Sequence, residues 1–285
     1  MIEQITGKTG LICLLGSPVA HSVSPAMHNE AFGLLGLDYV YLAFDVDEEG
    51  LPAAVAGLKA VGARGWNLTM PDKTAMVELL NELSPAAKIV GAVNTVVNED
   101  GRLVGHTTDG SGYMAMLAEA GVDITGKKLV MAGAGGAARA IAAQAALDGV
   151  AELAIFNRSV AKAEKIADDL NRSTDCKASA YALADIGTLR KELSDAAVFV
   201  NATKIGMAPD IGASVITDDT LFGSRPVVTD IIYEPRQTAL LKRAQDCGCR
   251  TINGMGMLLW QGAHAFELWT GRKMPVDSIR EKYFK

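Results

Sequence analysis

An α/β fold in two regions, the second a doubly wound parallel sheet, is what three features of the sequence predict. Short apolar runs alternate with helical segments through the first hundred residues, the pattern of a mostly parallel sheet covered by helices. A second strand–helix series begins at Lys128, with glycines at its first crossover. The stretch from Met257 to Thr270 carries Leu258, Leu259, Trp260, Phe266 and Trp269 and reads as a helix.

The elements follow in order. Residues 11–15 (LICLL) read as a buried strand, and after a polar turn a helix runs from about Pro25 to Leu35. Residues 38–45 form a second strand, with Tyr39 and Tyr41 alternating with aliphatic residues. Residues 51–61 are helical and residues 65–69 a short strand. Thr69 and Pro71 then mark a helix start, with Thr69 as its N-cap. In the second region residues 128–132 (KLVMA) are a strand, 137–147 an Ala-rich helix, 152–157 a strand and 161–170 a helix with apolar spacing. Residues 197–201 and 227–232 are two more strands, and a short helix follows Pro275. No Gly/Ser linker divides the regions, so the boundary falls somewhere in residues 107–126.

Composition narrows the function. With 285 residues, 49% of them hydrophobic and 21% charged, the chain suits two modest domains or one large one. A net charge of −6 supplies no basic face for nucleic acid. No run approaches the ~18 apolar residues of a membrane helix, and MIEQITGKTG has no basic start leading into an apolar core. Cys13, Cys176, Cys247 and Cys249 contain no C-x-x-C pair, so no metal site is expected. A reducing cytoplasm fits best. Monomer and homodimer are both compatible with the sequence.

Gly133-Ala134-Gly135-Gly136-Ala137-Ala138-Arg139-Ala140 lies between strand and helix. It is a G-x-G-G-x-x-x-A variant of the dinucleotide fingerprint. Glycines permit the tight turn and a close backbone approach to a pyrophosphate, and the helix N-terminus offers free N–H groups. Ala137 stands near the third glycine position, where a small side chain allows close packing. At the end of the next strand, Asn157-Arg158-Ser159 replaces the usual acidic residue, with Lys162 one helical step on. A guanidinium can grip a 2′-phosphate by two hydrogen bonds, which favours NADP; taken alone, Arg158 also reads as a solvated surface residue.

Three motifs in the first region carry candidate chemistry. His21-Ser22-Val23-Ser24-Pro25 sets two hydroxyls two residues apart ahead of a helix. In extended backbone they point the same way and, with the helix N-terminus, could hold a carboxylate; Ser24 also reads as a plain N-cap. Asn67-Leu68-Thr69-Met70-Pro71-Asp72-Lys73 places Asn67 and Thr69 on one side of a strand end and Lys73 a turn into the next helix. A lysine there could project into a cleft and exchange a proton; it also reads as a surface lysine. Val93-Asn94-Thr95 and Thr107-Thr108-Asp109-Gly110 add an amide and a carboxylate, and Asp109 also reads as the cap of a helix beginning near Gly112. Burial drives an ammonium toward its neutral form and a neighbouring carboxylate holds it charged, a balance the sequence leaves open.

Together these residues resemble the shikimate dehydrogenase family, including its quinate/shikimate branch. The match covers HSVSPAMHN, NLTMPDK, GAVNT, TTDG, GAGGAARA, IFNRS, NATKIGM, IIYEP and GMGMLLWQGA, in order. The resemblance implies an amino-terminal α/β substrate domain over 1–108, a Rossmann domain binding NAD(P) over 109–255, and a carboxy-terminal helix within 256–285 that returns to the first domain. It implies that Ser22 and Ser24 hold a substrate carboxylate, that Thr69, Asn94 and Gln261 bind ring hydroxyls with Asn67 beside them, and that Tyr233 lines the pocket. Lys73 would be the proton donor and acceptor, with Asp109 as its partner. Gly133, Ala134, Gly135, Gly136 and Ala137 would cradle the pyrophosphate, and Asn157, Arg158, Ser159 and Lys162 would meet the adenosine ribose. Thr203, Lys204, Ile231 and Gly254 would lie along the cofactor.

The implied reaction is reversible, NADP-dependent reduction of 3-dehydroshikimate to shikimate, in a cleft between the domains that excludes water. Lys204-Ile205-Gly206-Met207 and Leu259-Trp260-Gln261-Gly262 look like the quinate/shikimate branch, whose members use NAD and accept quinate. Ser159-Val160, without an acidic residue, looks like the NADP-specific form. The alternatives are therefore a dual-specificity quinate/shikimate enzyme using NAD as well, a relative acting on an amino-substituted ring, and a non-catalytic NADP(H)-sensing relative, which would have no need of the Lys73 and Asp109 pair.

Overall fold

A computed structural model describes residues 5–284. Residues 1–4, where the amino-terminal segment read above begins, and residue 285 lie outside the described residues. The chain forms two compact units: one runs to Gly112 and resumes at Leu259, the other is Tyr113–Leu258.

In the first unit β1 (Gly10–Gly16) leads through α1 (Ser24–Leu35) to β2 (Tyr39–Asp45), and α2 (Leu51–Ala60) leads to β3 (Gly65–Leu68). Then come a 3₁₀ turn at Ala75–Leu79, β4 (Glu82–Leu83), α3 (Pro85–Val90), β5 (Thr95–Glu99), β6 (Arg102–His106) and α4 (Asp109–Glu119). The strand order is β2-β1-β3-β5-β6-β4. Helical crossovers keep β1, β2 and β3 parallel, as such connections require. The sheet is mostly parallel, with β4 also parallel to β6; β5 alone runs antiparallel to its neighbours β3 and β6. The return from β5 to β6 is made at Asp100-Gly101, whose φ angles of 51° and 94° close a two-residue hairpin. Cys13, Leu15, Trp66, Met76 and Val96 fill the core beneath the sheet.

The second unit contains β7 (Lys128–Ala132), α5 (Gly136–Leu147), β8 (Glu152–Asn157), α6 (Val160–Ser173), β9 (Lys177–Ala182), α7 (Ile186–Leu193) and β10 (Val198–Asn201). β11 (Val227–Asp230), α8 (Ala239–Asp246) and β12 (Thr251–Ile252) complete it. The all-parallel order β12-β11-β10-β7-β8-β9 is that of a doubly wound dinucleotide fold, with its switch point between β7 and β10. α9 (Met255–Thr270) begins here and continues into the first unit, followed by α10 (Val276–Tyr283). Trp269 on α9 donates its indole N–H to the Val96 carbonyl at 2.9 Å. Gly65 leaves room for that ring, since a Cβ there would lie 2.5 Å from the indole nitrogen. No helix among the described residues is long and apolar enough to cross a membrane.

Two local expectations change. No α-helix follows Thr69: residues 71–74 form a turn ahead of the 3₁₀ turn, so Lys73 sits in a turn and Thr69 caps nothing. Ser22 and Ser24 are not joined by extended backbone either. Val23 is helical, with φ −78° and ψ −15°, and Ser22 Oγ accepts the Ser24 N–H at 3.2 Å. The helical intervening residue removes the alternation that extended backbone would impose.

Candidate active site

One edge of the first sheet gathers most of the expected site residues. β1 and β3 end there, β5 begins there and β6 ends there; the registers Leu14–Asn67, Asn67–Thr95 and Thr95–His106 align the four strands. The segments beyond that edge carry Ser22 and Ser24, Thr69 and Lys73, Asn94, and Asp109 respectively. Gly16 closes the edge, since a Cβ on it would stand 2.3 Å from Thr69 Cγ2.

At its centre the Lys73 ammonium donates to Asp109 Oδ2 at 2.8 Å. The Asn94 amide donates to Asp109 Oδ1, also at 2.8 Å. Both carboxylate oxygens are thus held, and Asp109 opens α4 rather than capping a later helix. The lysine side chain keeps 32% of its surface accessible and the aspartate 18%, which leaves the ammonium within reach of a ligand. Asn94 Oδ1 accepts the Thr108 N–H at 2.8 Å, fixing the amide so that its NH2 faces Asp109. Asp72, next to Lys73, is fully buried, and its carboxylate has no hydrogen-bond partner among the described residues. Burial first, then the charges of Glu48 and Asp47, push its pKa up.

Asn67 is buried, and its amide is already engaged. It donates to the Asn94 carbonyl at 2.9 Å and to Thr95 Oγ1 at 3.0 Å, and accepts from the Tyr41 hydroxyl at 2.8 Å. Its place is that of a strut between β3 and β5, beneath Thr69. Tyr41 is itself fully buried. Hydrogen bonds therefore run from Tyr41 through Asn67 to the Asn94 backbone carbonyl, and from the Asn94 amide through Asp109 to Lys73. Tyr41 was missed by sequence reasoning, which read it only as an alternating strand residue. The available signal was that a tyrosine on a buried strand face needs a partner for its hydroxyl. His28 stacks on Tyr41 with ring centroids 4.6 Å apart. Its ring nitrogens are buried without hydrogen bonds among the described residues, and burial lowers its pKa to about 3.

Gln261 lies on α9 where that helix crosses the start of α4. Gly112 makes the crossing possible, since a Cβ there would be 2.6 Å from the Gln261 nitrogen. A second tie lies one turn along α9, where His264 Nδ1 and Ser111 Oγ hydrogen-bond at 2.8 Å. Tyr233 belongs to the second unit, exposed in the segment after β11.

The dinucleotide-type residues surround the switch point of the second sheet. Gly133, with φ +119°, directly follows β7, and a Cβ there would strike the Ala202 carbonyl oxygen at 2.5 Å. At Gly135 and Gly136, by contrast, an added Cβ would meet nothing within 4 Å. The backbone N–H groups at the start of α5 therefore open onto free space, with Ala134 and Ala137 half-buried beside them. This cradle suits a pyrophosphate. Asn157 donates to the Ser159 carbonyl at 2.9 Å, shaping the turn that carries Arg158; Arg158, Ser159 and Lys162 are exposed. Thr203 is half-buried and Lys204 exposed after β10. Gly254 packs against Ile231 so closely that a Cβ would lie 2.0 Å from its carbonyl oxygen.

Three family descriptions match the chain. The shikimate dehydrogenase substrate binding domain matches residues 14–96, the shikimate / quinate 5-dehydrogenase family residues 116–208, and the shikimate 5′-dehydrogenase C-terminal domain residues 254–282. A shikimate dehydrogenase (NADP(+)) of Listeria monocytogenes is 53% identical over 285 residues, covering 99% of this chain and 98% of the relative. One from Streptococcus uberis is 49% identical over 290 residues, covering 100% and 98%. A crystal structure of shikimate 5-dehydrogenase from Listeria monocytogenes in complex with shikimate and NAD superimposes with a TM-score of 0.96 at 53% identity, covering 99% of this chain and 98% of that one. By sequence along nearly its whole length, and by fold, the chain belongs to the shikimate dehydrogenase family.

Proposed function

We propose that the protein is an NADP-dependent shikimate dehydrogenase, reversibly reducing 3-dehydroshikimate to shikimate. The observation that carries this reading is the Lys73 ammonium, 2.8 Å from Asp109 and partly open to a ligand. Residues 1–108 with 256–285 bind the substrate, and residues 109–255 bind the dinucleotide.

Ser22 and Ser24, at the N-terminus of the 12-residue α1, offer hydroxyls and a positive helix end to the carboxylate. Thr69, Asn94 and Gln261 meet the ring hydroxyls, with Asn67 holding their base and Tyr233 as a further pocket residue. The bound dinucleotide supplies hydride to the ring carbonyl carbon, or accepts it in the reverse direction. Lys73 Nζ donates the proton that the carbonyl oxygen needs as negative charge develops there. Asp109 holds the ammonium toward that oxygen, and Asn94 keeps Asp109 from rotating. In the oxidative direction, neutral Lys73 takes the hydroxyl proton.

The free space before α5 supports a pyrophosphate at Gly133 to Ala137, and Thr203, Lys204, Ile231 and Gly254 continue along the cofactor. Arg158, backed by Lys162, faces the 2′-phosphate; this and the naming of the relatives support NADP. A second reading, a quinate/shikimate dehydrogenase that also uses NAD, draws on Leu259-Trp260-Gln261-Gly262 and on the NAD bound to the Listeria enzyme. Four free cysteines fit a reducing cytoplasm, and the homodimer that the sequence allows is read by sedimentation equilibrium.

Initial rates with shikimate or quinate, each with NADP or NAD, test the function. Shikimate with NADP is expected to give the highest kcat/KM. Rates led by quinate with NAD would install the second reading, and no turnover in any arm would defeat both.

A further inference from the structure

Asp230 ends β11 and is wholly buried, yet among the described residues it meets only uncharged donors. The Ile232 N–H donates to Oδ1 at 3.0 Å and the Thr238 hydroxyl to Oδ2 at 2.8 Å. The Asn201 amide donates to both oxygens, at 3.1 and 3.2 Å. A buried carboxylate without a counter-charge is costly, and burial does push this one up to about 6. Such a group calls for a reason beyond packing.

The reason lies across the sheet. Asn201 ends β10, with Ala132 on one side and Asp230 on the other. Its remaining amide hydrogen goes to the Ile205 carbonyl at 3.1 Å. Its carbonyl accepts from the Thr203 N–H at 3.1 Å and the Thr203 hydroxyl at 2.7 Å. Thr203 Oγ1 in turn accepts the Ile205 N–H at 3.0 Å. One amide thus holds the loop at residues 203–205 three ways, and only in one orientation. If it flipped, its NH2 would face the donors of Thr203 and its carbonyl the carbonyl of Ile205. This loop packs directly on the first glycine of the dinucleotide motif, where a Gly133 Cβ would be 3.3 Å from Thr203 Cγ2. It therefore lies at the switch point, where doubly wound sheets bind ligands.

We infer that Asp230 is a positioning residue for the dinucleotide: as an all-acceptor group it locks the amide of Asn201, and through it the Thr203 loop against Gly133. The inference rests on the dinucleotide-binding reading above. Asp230→Asn places an NH2 against the Asn201 amide donor in either orientation, since that donor reaches both oxygens. Thr238→Val instead removes one donor from the same carboxylate and leaves the Asn201 amide in place.

The test is NADPH binding, followed by nicotinamide fluorescence, with KM for shikimate measured alongside at saturating NADP. Asp230→Asn should raise the Kd for NADPH about tenfold, with KM for shikimate within about twofold of the parent. Thr238→Val, which loosens the same pocket without releasing Asn201, should leave that Kd within about twofold of the parent. Parental affinity in Asp230→Asn would overturn the positioning role. So would a Thr238→Val variant that binds NADPH as weakly as Asp230→Asn does. Parental protein that binds no NADPH would instead overturn the dinucleotide reading itself.

Discussion

Gly112→Ala should reduce activity far more than stability. The new methyl carbon would lie 2.6 Å from the Gln261 nitrogen and 2.9 Å from its Cα and Cβ. Ordinary carbon contacts lie at about 3.5–4.0 Å, so α4 and α9 must part by roughly 1 Å. Because the obstruction is mostly backbone, no rotamer change relieves it. Overpacking of this kind costs about 1–3 kcal/mol, and replacing glycine by alanine within a helix returns about 1 kcal/mol. Net destabilisation is then no more than about 2 kcal/mol. The catalytic geometry has no such compensation. Asp109 opens α4 and Gln261 rides on α9, so the shift moves Gln261, the proposed ring-hydroxyl ligand, relative to the Lys73–Asp109 pair. A misplacement of about 1 Å costs on the order of 10²-fold in rate. The assay pairs kcat/KM for shikimate at saturating NADP with urea unfolding. A variant whose kcat/KM stays within about twofold of the parent would refute the reasoning, because the crossing would then tolerate a side chain without moving Gln261.

Two further predictions concern the pH response and the cofactor. His28 is about 3 in the folded chain against 6.5 unfolded, a shift caused by burial. Below pH 6.5 the unfolded chain takes up a proton that the folded chain refuses, so stability falls as pH drops from about 6.5 toward 3. At pH 5 the loss is about 2 kcal/mol. His28→Phe keeps the stacked ring and removes the titration, so its unfolding free energy should fall by about 2 kcal/mol less than the parent's between pH 7 and pH 5; parallel changes would contradict the assignment. Arg158→Ala should raise KM for NADP by about tenfold or more while leaving KM for NAD within about twofold. Equal changes for both cofactors would remove Arg158 from the 2′-phosphate.

The second sheet was readable because its inner strands are buried on both faces and its first crossover carries glycines, so β7, α5, β8, α6, β10 and β11 all stand close to their expected places. Short edge elements such as β4 and β12, two residues each, bury too little to leave a periodic trace. The β5–β6 hairpin was missed although Asp100-Gly101 marks it, because the helical crossovers before it suggested continued parallel pairing. The helix expected after Thr69 failed because capping residues are also turn residues, and nothing in NLTMPDK separates the two uses. In the site, the motif residues were legible one by one. Their linkage was not: that Tyr41 holds Asn67, or that Gly112 admits Gln261, depends on strand registers and a helix crossing between segments distant in the chain.

The role of Lys73 is tested most directly by the turnover of Lys73→Ala, with shikimate binding measured separately by calorimetry. Asp109 keeps its hydrogen bond from Asn94, so the site should persist without the lysine. We expect kcat to fall by ~10²-fold or more while the Kd for shikimate changes only a few-fold. Unchanged kcat in a folded variant that still binds shikimate would show that the proton reaches the substrate from another group.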